Sequence, residues 1–328
     1  MGSLPAELLI EILSYFLNDK ADIHIRSPTA LLTSNSLLSD IALKILYTEL
    51  YFKNSAQITL FLTTYSDGKV PPYAPRFADF DFVGTDSSRL FWDIHELFTR
   101  CFTSPELNVE RDAHGRPCLE LLRICANTHA FDYDHERICD ALSLVNSKRF
   151  MWDGPNPPHH FSIAVRRHFG WLAIVPPAVQ PLFRALSTYT NLIYLKLTYL
   201  SMTFVNHGKL PIIPSLQTFY FGQVVFLEPS DISSFVLHPS MNRLQEVKLV
   251  DAYKGSIWGA RIRRSDIEAT ATASGPLGSL DATAAAQRSL LDPYFPTHQD
   301  IIRRIVVCKA TTERIIGGDR AEGDEELV

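Results

Sequence analysis

One spacing recurs along this chain and limits what it can fold into: an apolar residue, two others, an apolar residue, one other, a third apolar residue. It stands at Leu192-Leu195-Leu197, Leu216-Phe219-Phe221 and Leu244-Val247-Leu249, and earlier at Phe77-Phe80-Phe82. The last two apolar positions of each triplet are two residues apart, so in a strand they share one face and the residue between them faces the other way. Because 46% of the chain is hydrophobic, roughly a tenth of all positions would begin such a triplet by chance. Context therefore matters more than any single copy. The starts at 192, 216 and 244 lie 24 and 28 residues apart, each introduced by a polar residue (Asn191, Ser215, Arg243), and helix-compatible or loop segments fill the gaps. Weaker, irregularly spaced copies are Thr128-Phe131-Tyr133, His160-Ile163-Val165 and Ile302-Ile305-Val307.

A chain of 328 residues with 11% aromatic content can bury a substantial core and has room for about two domains. That composition excludes a mainly disordered protein. The net charge of −5 argues against nucleic acid as a main partner, because phosphate binding needs a basic face. Cys101, Cys118, Cys125, Cys139 and Cys308 form no disulfide framework, and the odd count favours reduced thiols. Glu7 and Glu11 sit inside the first apolar stretch and no basic residue precedes Lys20, the reverse of a signal peptide. No apolar run reaches membrane-spanning length; Trp171 to Val175 stops at Pro176-Pro177. Met1-Gly2 opens a myristoylation-like string that fails at Ala6. The expectation is a soluble protein of the cytoplasm, the nucleus or both, with no membrane partner.

At the start, Pro5 suits a first helical turn and Glu7 the positive end of the helix dipole. Leu8, Leu9, Ile12, Leu13 and Phe16 then recur at helical spacing. After the polar stretch Asn18 to Pro28 come Leu31, Leu32, Leu37, Leu38, Ile41, Ile45 and Leu46, ending in Tyr47. A three-helix unit of this size buries only part of its apolar surface, so the surplus must face another domain or another protein. Leu4-Pro5-Ala6-Glu7-Leu8, Ile12-Leu13 and Phe16-Leu17, followed by Leu32 to Ser36 and Ile41-Ala42…Leu46-Tyr47, resemble the F-box of the type common in large fungal families. The likeness covers residues 4 to about 52. It departs at Asn18 to Pro28, which is longer and more polar than the usual link, and at Tyr47, where many F-boxes carry tryptophan. The resemblance implies binding to the Skp adaptor of a Skp–cullin–F-box ubiquitin ligase through Leu4, Pro5, Leu8, Ile12 and Leu13.

The triplets resemble the strand segment of a leucine-rich repeat, whose period is about 20–29 residues. Leu121 to Asn127 resembles the helix end that precedes strands in F-box/leucine-rich-repeat proteins. The expected fold is α+β or α/β: a three-helix F-box-like module over residues 1–52, a linker helix and turn over 53–73, and an irregular leucine-rich-repeat-like α/β solenoid over 74–268. A flexible Ala/Thr/Ser/Gly-rich insertion follows over 269–287, then a final repeat-like unit over 288–316 and a disordered acidic tail over 317–328. A compact α/β domain with a mixed sheet is the alternative.

Candidate chemistry is sparse. Asp79-Phe80-Asp81 and Asp132-Tyr133-Asp134 place two carboxylates on one strand face, as a metal-binding pair would, but so does any half-buried strand with a wet face. His159, His160 and His168 lack Cys or carboxylate partners at zinc-site spacing. No Gly-x-Ser-x-Gly, Walker or His-Glu-x-x-His motif is present, and no cofactor is expected. Arg261-Ile262-Arg263-Arg264-Ser265 could touch phosphate or present Ser265 to a kinase, though a solvated strand or loop is the plainer reading. In the triplet register the outward residues are Asp79, Asp81, Asp132 and Asp134 early, then Arg166, Tyr194, Lys196, Thr218, Tyr220, Glu246 and Lys248. The face would be acidic at one end and aromatic–basic at the other, with Tyr194, Lys196, Tyr220 and Lys248 suited to hold a target protein. The expected function is a non-catalytic substrate receptor of a ubiquitin ligase, assembling with the Skp-type adaptor and cullin core. A binding scaffold with a helical cap and a metal-dependent enzyme using Asp79 and Asp81 are the alternatives.

Overall fold

The computed structural model describes residues 8–13, 36–66, 69–82, 88–102, 109–126, 135–154, 174–203, 210–257, 259–273, 297–311 and 325–328. Within them the chain begins with a short helix α1 (8–13) and α2 (Ser36–Thr48), then β1 (Glu49–Phe52) and α3 (Ser55–Thr64). The middle of the chain holds β2 (Phe77–Asp81), α4 (Leu90–Phe102), β3 (Cys118–Leu119), β4 (Leu121–Cys125), α5 (Glu136–Leu142), β5 (Asn146–Ser147) and β6 (Arg149–Trp152). Then come α6 (Pro176–Leu186), β7 (Tyr194–Thr198), β8 (Thr218–Gly222), α7 (Pro229–Val236) and β9 (Glu246–Val250). The last elements are α8 (Arg264–Ala273), α9 (His298–Ile305), β10 (Val306–Ala310) and β11 (Glu325–Glu326).

Local chemistry explains the helix starts. Asn54 caps α3 by accepting the Gln57 N–H at 3.0 Å, and α6 and α7 open on prolines, whose missing N–H is no loss in a first turn. Thr297 and Asp300 form a reciprocal capping box on α9. In α4 the residues Leu90, Ile94, Leu97, Phe98 and Cys101 recur at helical spacing and are buried, so one stripe faces the core. Arg100, in its last turn, donates to the carbonyls of Leu62 and Tyr65 and ties α4 to α3.

The main sheet runs β1-β2-β4-β6-β7-β8-β9-β10-β11, parallel throughout except for the last pair. Within this sheet each strand lies beside the one before it, so the chain advances across it in one direction, while β3 and β5 pair separately. Parallel crossovers share one hand as a rule, and a chain that advances one way under that rule has its connecting helices on a single face. The helices accordingly pack on one another in chain order, α3 on α4, α4 on α5, α5 on α6, then α7 on α8 and α8 on α9.

Two cross-strand rows face the helices. One is Leu50, Ala78, Leu122, Phe150, Leu195, Phe219, Val247 and Val306; the other is Phe52, Phe80, Ile124, Trp152, Leu197, Phe221, Leu249 and Cys308. All are buried in one continuous core. Trp152 is fully enclosed and its indole N–H donates to the Ala126 carbonyl at 3.0 Å, so its polar atom is satisfied. A second regularity marks the strand ends. Tyr199, Gln223 and Asp251, which directly follow β7, β8 and β9, have φ of 55, 51 and 49°, and each donates its N–H to a carbonyl of the next strand. Three non-glycine residues in the left-handed region at equivalent positions are a repeated structural device.

The best triplets fall where expected, at β2, β7, β8 and β9. Others do not. Leu121 to Cys125, where the resemblance implies the end of a helix, is itself a strand, because Leu122 and Ile124 alternate into the core. The copy at 128–133 and the one at 160–165 lie outside the described residues; the strand between them is β6, whose Phe150 and Trp152 point inward. Ile302 and Ile305 belong to α9, and the inward residues of the following strand are Val306, Cys308 and Ala310, so that register was shifted by one. Residues 49–52, placed within the helical module, form the first strand of the sheet, and α8 continues to Ala273 inside the segment read as flexible. At the end of the acidic tail Glu325 and Glu326 pair with β10 and Leu327 is buried. The alternative of a mixed sheet holds only for that last antiparallel pair.

Candidate functional site

The open face of the sheet carries its own rows. The middle one, in strand order, is Tyr51, Asp79, Arg123, Met151, Lys196, Tyr220, Lys248 and Val307. Nearer the strand C-termini Asp81 aligns with Cys125, Thr198 aligns with Gly222, Val250 and Lys309, and Asp153 directly follows β6. The crevice beyond the carboxyl ends of parallel strands is the usual place for a ligand site in α/β folds. Here it holds a cleft of about 530 Å³ lined by Asp81, Arg123, Asp153, Lys196, Tyr199 and Tyr220 among others.

Its charges are chained together. Arg123 reaches Asp79 through Nη1 at 3.0 Å and Asp153 through Nε at 3.1 Å, and Lys196 Nζ meets the other Asp153 oxygen at 2.7 Å. Burial opposes the charge on Arg123, but the two carboxylates outweigh it and hold its pKa above the ordinary arginine value. Tyr51 donates to Asp81 at 3.3 Å, and burial together with the Asp81 and Asp79 charges pushes its phenol up to about 12. Burial, then Asp81, pushes the Cys125 thiol up to about 11, so it is no thiolate at neutral pH.

Toward the other end the face becomes aromatic and basic. The ammonium groups of Lys196 and Lys248 lie 5.4 and 5.9 Å from the Tyr220 ring centre, and the Arg149 guanidinium lies 5.5 Å from that of Tyr194. Two glycines keep the floor open. A Cβ on Gly154 would fall 2.3 Å from the Tyr199 ring, and one on Gly222 would fall 2.9 Å from the ring of Tyr220. The Gly154 N–H donates to Thr198 Oγ1 at 2.7 Å, which fixes the turn after β6 against β7.

The four residues singled out as a target-binding face, Tyr194, Lys196, Tyr220 and Lys248, lie on the open faces of β7, β8 and β9, and three of them share one row. Asp79 and Asp81 share that face, but Asp79 is engaged by Arg123, and among the described residues no group of three or more His, Cys, Asp and Glu could hold a metal ion. Asp132, Asp134, His159, His160, Arg166 and His168 lie outside the described residues. Of the expected adaptor-binding residues, Leu8 and Ile12 on α1 are 45% and 53% exposed, Leu13 is buried, and Leu4 and Pro5 lie outside the described residues. Arg123, Asp153, Thr198 and Tyr199 went unrecognised; the first two depend on β4 and β6, which no strong triplet marks.

The basic cluster at 261–264 is solvated only in part: Arg263 is exposed, and Arg261 is not. Arg261 and Asp251 are both fully buried, with Arg261 Nε 2.8 Å from Asp251 Oδ1. That contact is off the hydrogen-bond line, so it acts as an ion pair, while Thr311 donates its N–H and hydroxyl to Asp251 at 3.2 and 2.6 Å. Arg264 pairs with Glu326 at 3.1 Å, and Ser265 donates to the Val328 carbonyl. These groups clamp the chain end to the body. No helix among the described residues is long and apolar enough to cross a membrane. No protein-family model, no curated protein and no solved structure matches the chain.

Proposed function

We propose that this chain is a substrate-recognition adaptor of a Skp–cullin–F-box ubiquitin ligase, with the N-terminal helices binding the Skp-type adaptor and the open sheet face holding a target protein. On this reading the body is an irregular leucine-rich-repeat-like solenoid. The observation that carries the docking half is the exposure of Leu8, Ile10, Ile12 and Leu37 on two N-terminal helices, within the stretch whose sequence resembles an F-box. Leu8 and Ile12, one helical turn apart, share a face of α1, and an exposed apolar face marks a partner contact. The recognition half is supported by the rows of charged and aromatic side chains on the open face, which no helix covers among the described residues. Work in the cytoplasm or nucleus fits this role.

The burial of Leu13 favours a second reading, in which α1 caps the body of a plain binding scaffold. The two separate in one experiment. Affinity purification of the tagged full chain from eukaryotic cells recovers the Skp adaptor and cullin, and Leu8→Ala with Ile12→Ala removes them at unchanged melting temperature. Recovery of target proteins without any adaptor would leave only the scaffold.

A further inference from the structure

The charges of the groove do not cancel evenly, and what remains has a direction. Arg123 is shared by Asp79 and Asp153, and Asp153 also holds Lys196, so these four neutralise one another at the centre. At the β2 end Asp81 is left with the Tyr51 hydroxyl at 3.3 Å and no basic group at ion-pair distance among the described residues. On β9 Lys248 is left with the Tyr220 ring at 5.9 Å and no carboxylate at that distance among the described residues. Between them lie Gly154, Gly222 and the two tyrosine rings of Tyr199 and Tyr220, a low floor with aromatic walls.

We propose that this groove binds an extended peptide segment running across the strands, with a lysine or arginine against Asp81 and an aspartate or glutamate against Lys248. From β2 to β9 there are five strand intervals of ~4.8 Å, or ~24 Å, and at ~3.3 Å per extended residue the two charged side chains of the peptide stand about seven residues apart. Lys248 lies beyond the cleft's lining, beside Tyr220 on the middle row, so the segment leaves the cleft over the Tyr220 ring and ends on the open face of β9. Complementary charge at both ends fixes the direction of the peptide as well as its position. Tyr199 and Tyr220 are held neutral, burial being the main cause of their raised pKa values, so they offer ring faces and hydroxyl donors to the middle of the segment. The inference deepens the recognition half of the proposed function and rests on that reading.

A random dodecapeptide phage library panned on the full chain tests it, followed by titration of the best synthetic peptide. The expected result is an enriched family with a basic and an acidic residue six to eight positions apart. Asp81→Asn and Lys248→Gln each weaken that peptide about tenfold at unchanged melting temperature, and Asp81→Lys shifts the selection to peptides acidic at both ends. No enriched family, or one whose binding ignores both sites, overturns the proposal. Adaptor capture is measured on the same samples. Capture without peptide selection sinks the groove assignment and leaves the docking reading standing; peptide selection without capture does the reverse.

Discussion

The N-terminal helices and the α/β body differ in how they arrange their apolar and charged surface. On α1 and α2 the residues Leu8, Ile10, Ile12 and Leu37 are turned outward, while the body sends two unbroken rows of apolar side chains inward and keeps charges for its open face. The body also leaves Leu60, Trp92 and Phe226 at the surface, so the contrast lies in its two buried rows and its charged open face, not in an absence of exposed apolar groups. Apolar contact is nearly non-directional, which suits a surface that meets one constant partner. Charged and aromatic rows discriminate among partners, because a mispaired charge is costly. On the proposed reading, that difference is the physical reason to assign docking to one region and recognition to the other.

That division predicts that damage to the body costs stability and damage to the exposed helix face does not. The largest effect belongs to the buried pair. Asp251→Ala takes the carboxylate away from the buried Arg261 guanidinium, at about 3–5 kcal/mol by urea denaturation. Asp251→Leu with Arg261→Met recovers most of this, since neither charge is then left alone. Arg123→Ala leaves Asp79 and Asp153 facing each other in a half-open site and costs about 2 kcal/mol, part of which Asp79→Asn restores.

A smaller effect comes from Asp231 in the first turn of α7, whose carboxyl is raised to about 6 by burial and then by the Glu228 charge. Its folded pKa lies above the unfolded value, so the folded state binds more protons between them. Its contribution is fully present below the unfolded carboxylate range and is lost as pH rises through about 6. Asp231→Asn gains about 1 kcal/mol at pH 7, after allowance for solvent screening of a half-exposed group, and flattens the melting temperature between pH 4 and 6. The smallest effect is at α1, where Leu8→Ala with Ile12→Ala moves stability by no more than about 0.5 kcal/mol. A large loss there would mean that the helix belongs to the body's core, and the contrast would fail.

Much of the body was legible because period-two burial writes itself into a strand that carries two large apolar residues, as in Leu195/Leu197 and Phe219/Phe221. It failed where neighbouring positions were apolar too. Leu121-Leu122-Arg123-Ile124-Cys125 offers several registers, and only pairing with Phe77–Asp81 selects the one that turns Arg123 outward. Polar residues that become interior through distant partners were invisible for the same reason. Asp251 and Arg261 are ten positions apart and look like surface charges until Thr311, sixty positions on, closes over the aspartate. The groove was half legible. Its aromatic–basic side follows from the triplet register, whereas its central Arg123–Asp153 link joins two strands that no strong triplet announces.

The most direct test is a calorimetric titration of purified full-length chain with purified Skp-type adaptor, for the wild type and for Leu8→Ala with Ile12→Ala. The account predicts a one-to-one complex of micromolar or tighter affinity, weakened at least a hundredfold (about 2.7 kcal/mol) in the double variant at unchanged melting temperature. No binding by the wild type, or equal binding by both, would contradict it.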